Sequence, residues 1–272
     1  MPIQFFCSER WLVTILMCKN FIALCFILTT CLYGHRLVYS PEEFSVGQSK
    51  CFVLDANSSN KEKPWVWYAP TLPRHPDPSH TWYIDKLIEK GISFAGCDQG
   101  EVRGSPESIS RFSDFYNEMI SRGFSKKPVL LGQSRGGLMM LSWAVRNPNK
   151  LSGYAGIYPV QNLRSWPMKR SLGSTLKDFG MDEQTFNQLI DLYNPINHLE
   201  GMVIAEVPIF ILHGDSDKLV PLEQNSLIVE KIYQKLGGNV KLHIVTGAGH
   251  QVSDEFFKSQ NFIEFIIQEL IN

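Results

Sequence analysis

Short apolar runs alternate with helix-like stretches from Cys51 to the C-terminus. The run PVLLG (128–132) is typical of a buried strand, and the segment 105–124 places Ile109, Phe112 and Phe115 on one helical face. Parallel strands need long crossover connections, which are usually helices. The alternation therefore predicts an α/β fold: a mostly parallel central sheet flanked by helices.

The alternation lapses between residues 161 and 199. Apolar positions are scattered there among several prolines and glycines, and one short helix is predicted at 182–193. Strands resume at PIFILHG (208–214). We expect 161–199 to form a small cap over the strand ends, inserted into a domain that spans 35–272.

Residues 1–34 have a different pattern. The run Phe21–Leu32 carries no charge and follows Lys19. Such a run is typical of a signal peptide and is too short to span a bilayer comfortably. We expect export from the cytoplasm, as a secreted or periplasmic protein. The alternatives are an uncleaved membrane anchor and a lipoprotein with lipid on Cys31.

Charge and cysteine content exclude two kinds of site. The formal net charge is −1, and no Lys/Arg-rich stripe is present, so nucleic-acid binding is not expected. Four of the six cysteines precede residue 35, which leaves Cys51 and Cys97 in the folded part. Neither a CxxC pair nor zinc-ligand spacing remains, and no metal site is predicted.

The segment VLLGQSRGGLMML (129–141) indicates the chemistry. A predicted strand runs directly into a predicted helix, and Ser134 lies at the turn between Gly132 and Gly136. A nucleophile on so sharp a turn needs glycines two residues before and two after it. Ser134 is therefore the candidate nucleophile. The alternative is a glycine turn in which Ser134 caps the helix.

A serine nucleophile needs a base and a carboxylate. Of the seven histidines, His250 is best placed, in GAGHQ between a predicted strand and the last helix. Its alternative role is that of a polar loop residue, and His213 is expected to shape a turn. The segment ILHGDSDKLVP offers Asp215 and Asp217 just after a strand.

These motifs together resemble the α/β-hydrolase superfamily from about residue 50 to the C-terminus. GQSRGG, HGDSDKLVP followed by Asn225-Ser226, and GAGH are similar to the branch that includes the prolyl-oligopeptidase catalytic domain, dienelactone hydrolases and acetyl xylan esterases. The chain order Ser, Asp, His is that of the superfamily. The resemblance implies an acyl-enzyme mechanism without a cofactor, and HG-x-x-D-x-x-VP selects Asp217 over Asp215.

An oxyanion hole needs two backbone N–H groups. One is expected from Arg135, directly after the candidate nucleophile. The other is expected from the loop after the second predicted strand, where Pro70 and Pro73 have no N–H. Thr71 matches the position that the resemblance implies, and Leu72 is the alternative.

Four residues are predicted to contact the substrate. Glu101 and Arg103 lie in a loop (97–106) that follows a strand and should reach the rim of the site; the alternative is a solvated charged loop. Arg164 and Trp166 lie in the predicted cap, where Trp166 alternatively packs in the cap's own core.

The expected function is hydrolysis of carboxylic esters, carbohydrate-linked esters among them. A prolyl-oligopeptidase-like peptidase acting on short peptides is the alternative, and a non-catalytic binding protein is the second. Two departures disfavour the peptidase: Arg135 stands where peptidase members carry an aromatic residue, and nothing resembles their N-terminal propeller.

The resemblance also bears on the two remaining cysteines. In this fold the strand at 51–55 runs antiparallel to the strand at 92–98, so Cys51 should lie near Cys97. We expect two buried free thiols. A disulfide, which an oxidising compartment would permit, is the alternative.

Overall fold

The computed structural model describes residues 40–71 and 76–271, and the predicted export segment 1–34 lies outside them. An eight-stranded sheet with strand order β1-β2-β4-β3-β5-β6-β7-β8 forms the centre. The pairs β1–β2 and β2–β4 are antiparallel, and all the others are parallel. The strands are β1 (Glu42–Val46), β2 (Ser49–Leu54), β3 (Trp65–Ala69), β4 (Ser93–Asp98), β5 (Val129–Gln133), β6 (Gly153–Ile157), β7 (Ile209–Gly214) and β8 (Val240–Val245).

Helices connect and cover these strands, which confirms the predicted α/β class. α1 packs with α10, and α2 packs with α3. In the described part of the chain, no helix is both long and apolar enough to cross a membrane. The helices are α1 (Thr81–Glu89), α2 (Pro106–Ser121), α3 (Arg135–Ala144), α4 (Trp166–Arg170), α5 (Leu172–Phe179), α6 (Glu183–Tyr193), α7 (Glu200–Ile204), α8 (Ser226–Lys235), α9 (Asp254–Phe257) and α10 (Gln260–Ile271).

The core is built around β3, in the middle of the sheet. All five of its residues are buried, as expected for a strand covered on both faces. The Trp67 ring lies 4.8 Å from that of Trp143 on α3 and 5.2 Å from that of Phe115 on α2, centroid to centroid. These aromatic contacts fix α3, and hence the turn before it, against the sheet.

The predicted cap segment contains more helix than its sequence pattern indicates. Within residues 161–199 the chain forms α4, α5 and α6, of which only α6 was predicted. Phe179, Phe186 and Ile190 pack in a small cluster that includes Leu138 of α3. Helices α4 and α5 are shorter than the window of roughly 11–18 residues over which a helical period is recognised.

Two other elements differ from the prediction. Strand β1 was not predicted; it pairs with β2 at the sheet edge, where its residues are mostly exposed. The C-terminal segment, where a single last helix is expected, forms two helices, α9 and α10. Both differences lie at the sheet edge or near the C-terminus. Fewer side chains are buried there, so the hydrophobic pattern of the sequence is weaker.

Cys51 and Cys97 are directly opposed in the antiparallel pair β2–β4. Both are free, both are buried, and their Sγ atoms lie 2.9 Å apart. The expected neighbourhood of the two residues is therefore present, with both sulfurs as thiols.

Thiol counting tests the state of this pair. Without reductant, the folded protein should protect both thiols from a thiol reagent, and denaturation should expose two more reactive thiols than in the double variant Cys51→Ser/Cys97→Ser. The reason is burial of both sulfurs in the sheet. Equal counts in the two denatured proteins would show that the native pair is a disulfide.

Candidate active site

Ser134 lies at the sharp turn between β5 and α3. Its backbone has φ 49° and ψ −121°, a conformation that costs a non-glycine residue roughly 1–3 kcal/mol. Hydrogen bonds on both sides hold it there. The Ser134 N–H donates to the carbonyl of Ile157 (3.0 Å), and its carbonyl accepts from the N–H groups of Gly137 (3.0 Å) and Val160 (2.8 Å).

The flanking glycines are required by close backbone approach. A Cβ atom at Gly136 would overlap the carbonyl group of Ala69 at the end of β3. A Cβ atom at Gly132 would lie 2.6 Å from the Cα atom of Gly137. The turn is therefore wedged between neighbouring backbone segments, and the Ser134 side chain is held above the sheet.

The structure brings Ser134, His250 and Asp217 together. The Ser134 Oγ atom lies 2.8 Å from Nε2 of His250, and Nδ1 of His250 lies 2.7 Å from Oδ2 of Asp217. The histidine follows β8 and the aspartate follows β7, so both reach the site from the carboxyl ends of parallel strands.

The environment of Asp217 keeps its carboxylate charged. Burial opposes ionisation, but hydrogen bonds from His213, His250 and the Val220 N–H outweigh it and hold the pKa of Asp217 well below its usual range. A carboxylate accepts hydrogen bonds only, so Nδ1 of His250 carries the proton. Nε2 then presents a lone pair to the Ser134 hydroxyl, the arrangement that a general base requires.

The other acidic candidate has a different place. Asp215 is exposed, and its Oδ1 accepts a hydrogen bond from the N–H of Gly247 at 2.7 Å, which braces the turn before His250. His213 is fully buried, with Nε2 2.8 Å from the Val220 carbonyl and Nδ1 2.6 Å from Ser226 Oγ. It supports the loop that carries Asp217.

Of the two predicted oxyanion-hole residues, Arg135 directly follows Ser134, and Thr71 lies just after β3, which pairs with β5. Arg135 is the first residue of α3, where backbone N–H groups have no intrahelical partner. Thr71 follows Pro70, a residue that lines the cavity beside Ser134. The alternative donor, Leu72, lies outside the described residues. Both assignments stay predictions.

Two cavities open on either side of Ser134. One, of about 200 Å³, also contains His250 and Tyr158 in its wall. The other, of about 220 Å³, is walled by Trp166 and Leu219 on the far side of Ser134. Arg135 lines both. Both cavities therefore border Ser134.

Comparison with known families decides the family. Residues 108–268 match the family described as the prolyl oligopeptidase family. The chain belongs to the prolyl oligopeptidase family. It is thus a member of a serine hydrolase family within the α/β-hydrolase superfamily, as the resemblance in its motifs implies.

Solved structures share the fold of this prolyl oligopeptidase family member. A puromycin-hydrolysing peptidase of Mycobacterium tuberculosis has a TM-score of 0.70 at 13% identity, and the matched region covers 86% of this chain and 40% of the peptidase. Est1E of Butyrivibrio proteoclasticus has a TM-score of 0.64 at 15% identity, covering 85% and 99%. A truncated carbohydrate esterase from gut microbiota has a TM-score of 0.63 at 13% identity, covering 88% and 99%.

The lengths differ between these relatives. The chain spans 40% of the mycobacterial peptidase and 37% of a putative dipeptidyl aminopeptidase IV from Bacteroides ovatus. No curated protein matches the chain in sequence.

Residues 40–71 and 76–271 contain no cluster of His, Cys, Asp or Glu suited to a metal ion.

The predicted substrate-contacting residues separate into two groups. Trp166 lines the cavity at Ser134, and Glu101 forms an ion pair with Arg135 at its rim. Arg103 and Arg164 line none of the cavities described near Ser134.

Arg103 and Arg164 are engaged elsewhere. Arg103 is only 6% exposed; it donates to Asp178 at 2.5 Å, and its guanidinium lies 5.6 Å from the Trp166 ring centre. It therefore ties the 97–106 loop to the cap instead of presenting its charge to a substrate. Arg164 forms an exposed ion pair with Asp191 at 2.9 Å.

The sequence analysis missed Tyr158. Its ring centre lies 4.4 Å from that of His250, and its hydroxyl accepts from Nε2 of Gln133 at 3.2 Å. Oε1 of Gln133 in turn accepts from the Tyr68 hydroxyl at 2.8 Å and lies 2.7 Å from Nε2 of His80. Burial raises the pKa of Tyr158, so its hydroxyl stays protonated.

A signal for Tyr158 exists in the sequence. It directly follows β6, and β6 pairs with β5, the strand that carries Ser134. Residues that follow neighbouring parallel strands meet at one edge of the sheet. A search of every strand end, without regard to residue type, would have included it.

The two aspartates give a direct test of the site in this prolyl oligopeptidase family member. Asp217→Asn should lower kcat by about 10⁴, because an amide at this position favours the wrong imidazole tautomer. Asp215→Asn keeps an amide oxygen that can accept the hydrogen bond from the Gly247 N–H, and should lower kcat less than about tenfold. Steady-state kinetics on one activated ester compares them; equal losses would contradict the assignment of Asp217.

Proposed function

We propose that this chain hydrolyses carboxylic esters through an acyl-enzyme formed on Ser134. The observation that carries the proposal is the continuous hydrogen-bonded chain from Asp217 through His250 to the Ser134 hydroxyl. It coincides with the strained turn at which Ser134 is held. Neither feature is needed for a helix cap.

In the first half of the reaction, Ser134 Oγ attacks the ester carbonyl carbon while Nε2 of His250 takes the hydroxyl proton. The carboxylate of Asp217 stabilises the imidazolium that forms. The carbonyl oxygen becomes an oxyanion, which the N–H groups of Arg135 and Thr71 stabilise. The imidazolium then protonates the leaving oxygen; the alcohol departs, and the acyl group stays on Ser134.

The second half repeats these steps with water. His250 removes a proton from a water molecule as the water attacks the acyl carbon, and the resulting imidazolium returns a proton to Ser134 Oγ. The carboxylic acid leaves, and the serine is restored. No cofactor enters the mechanism that we propose.

The space beside Ser134 favours an ester over a peptide, and two esterases, Est1E and the carbohydrate esterase, share the fold. The cavities beside Ser134, of about 200 and 220 Å³, fit small groups. Trp166 offers a flat apolar surface to a sugar ring or a planar acyl group.

A peptidase is the second candidate function. The match to the prolyl oligopeptidase family over residues 108–268 favours it, as does the fold shared with several peptidases. A non-catalytic binding protein is disfavoured, because the nucleophile, the base and the acid are all present and hydrogen-bonded to one another.

Ser134→Ala tests the proposed nucleophile. The loss of a nucleophile of this type costs on the order of 10⁴ to 10⁶ in rate, so hydrolysis of p-nitrophenyl esters should fall to background. Ser121→Ala, at an exposed position on α2, is the matched control and should keep full activity. If Ser134→Ala kept a tenth of wild-type turnover with an unchanged thermal unfolding midpoint, the assignment would be wrong.

Paired substrates separate the two candidate functions. The proposal expects turnover of p-nitrophenyl esters of graded acyl length, with little or no turnover of short peptide p-nitroanilides, because release of an amine places a greater demand on the acid that protonates it. Values of kcat/KM for peptide anilides equal to those for the esters would favour the peptidase.

We propose also that the chain is exported. The uncharged run Phe21–Leu32 supports this, and the mature protein should begin between Gly34 and Ser40. N-terminal sequencing of the native protein measures it. Recovery of an intact chain from the cytosol would contradict export, and a lipidated Cys31 would identify the lipoprotein alternative.

A further inference from the structure

A third cavity continues from the site on the Trp166 side. It has a volume of about 320 Å³ and shares Trp166 and Leu219 with the cavity that contains Ser134. Trp166 and Leu219 line both spaces, so the two cavities are neighbours. A substrate seated on Ser134 can extend over Trp166 and Leu219 into the third cavity.

This third cavity is basic. Lys169 and Arg170 reach it from the end of α4, and Lys218 reaches it from the loop after β7. We call these three side chains the basic groove. The other residues that line the cavity include no aspartate or glutamate. Lys169 Nζ donates to the neutral side chain of Gln224 at 2.6 Å, which leaves its charge uncompensated.

Three neighbouring arginines, by contrast, are paired with carboxylates. Arg103, Arg135 and Arg164 each form an ion pair with an acidic side chain: Asp178, Glu101 and Asp191 in turn. Among the described residues, no carboxylate lies within ion-pair distance of the three cations of the basic groove. The positive charges that face this cavity are therefore not paired with any described carboxylate.

The two aspartates closest in sequence to Lys218 already accept hydrogen bonds from other groups. Asp217 binds His250 and the N–H groups of Leu219 and Val220, and Asp215 binds the N–H of Gly247. No described carboxylate of the chain pairs with the basic groove, so a negative charge bound there comes from another molecule. The overall charge of −1 supplies no general attraction for anions, so the attraction is local.

We propose that the substrate carries a carboxylate that binds the basic groove while its ester carbonyl lies on Ser134 and its central part rests on Trp166. This rests on the proposed function, and it adds the substrate class. Lysine and arginine bind carboxylates through charge-assisted hydrogen bonds, which are about twice as strong as neutral ones. The carboxylate belongs either to the acyl group or to the alcohol.

Two matched ester pairs distinguish these sources. Mono(p-nitrophenyl) glutarate against p-nitrophenyl pentanoate places the charge on the acyl side. The acetyl ester of 4-hydroxybenzoate against that of 4-hydroxybenzamide places it on the alcohol side. In at least one pair the wild-type protein should prefer the charged ester by about tenfold in kcat/KM, the gain expected from one charge-assisted contact.

Charge-removing variants then assign the preference to the groove. The triple variant Lys169→Gln/Arg170→Gln/Lys218→Gln should bring the charged-to-neutral ratio of kcat/KM close to one. The control Lys177→Gln/Lys231→Gln/Lys235→Gln changes the net charge equally, at exposed positions on α5 and α8 that line none of the three cavities, and should keep the preference.

A measurement on the wild-type protein covers the case in which the triple variant does not fold. The preference of the wild-type protein for the charged ester should decrease as the salt concentration rises from 0.01 M to 1 M, because the Debye length shortens from about 30 Å to about 3 Å. No preference in either pair, or an equal loss in both triple variants, would overturn the inference. Failure of the wild-type protein to hydrolyse any of the four esters would overturn the proposed function itself, which is a distinguishable result.

Discussion

The backbone of Ser134 is held at a positive φ angle, and the site depends on that constraint. Its N–H and carbonyl groups are bonded to Ile157, Gly137 and Val160, so the turn cannot relax without breaking contacts with β6 and the segment after it. Gly136 lets the turn press against the end of β3. The side chain is thereby exposed above the sheet while the first N–H groups of α3 stay beside it. Strain at a functional residue persists only where surroundings determine it this fully.

The remaining groups arrive because parallel strands end at one edge. Strands β3, β5, β6, β7 and β8 are followed by Pro70, Ser134, Tyr158, Asp217 and His250. Each strand delivers one side chain or backbone group to the same place, and loops add the rest. Burial of Asp217 strengthens its hold on His250, since charges interact more strongly away from water. Rigid strands therefore set distances of 2.7 and 2.8 Å among residues far apart in the sequence.

Local sequence patterns predicted the elements that carry the chemistry and missed those fixed by tertiary contacts. The strand–glycine–serine–glycine–helix pattern indicated Ser134, because steric demands at that turn are local. The choice of Asp217 over Asp215 came from a resemblance in motif spacing, since both follow the same strand. Tyr158 and the short helices α4 and α5 were not predicted, because packing positions Tyr158 and both helices are too short for a helical period to be recognised. The ion pair between Arg103 and Asp178 joins the 97–106 loop to α5, a contact between distant parts of the chain that a single sequence does not reveal.

The central claim is that the His250–Asp217 pair activates the Ser134 hydroxyl as a nucleophile. A fluorophosphonate probe reacts covalently with such a serine, and mass spectrometry of the digested protein locates the adduct. The account predicts a single adduct on the peptide that contains Ser134 at one equivalent per chain, with labelling strongly slowed in His250→Ala. Labelling of a different residue, or labelling of Ser134 at the same rate in His250→Ala, would contradict it.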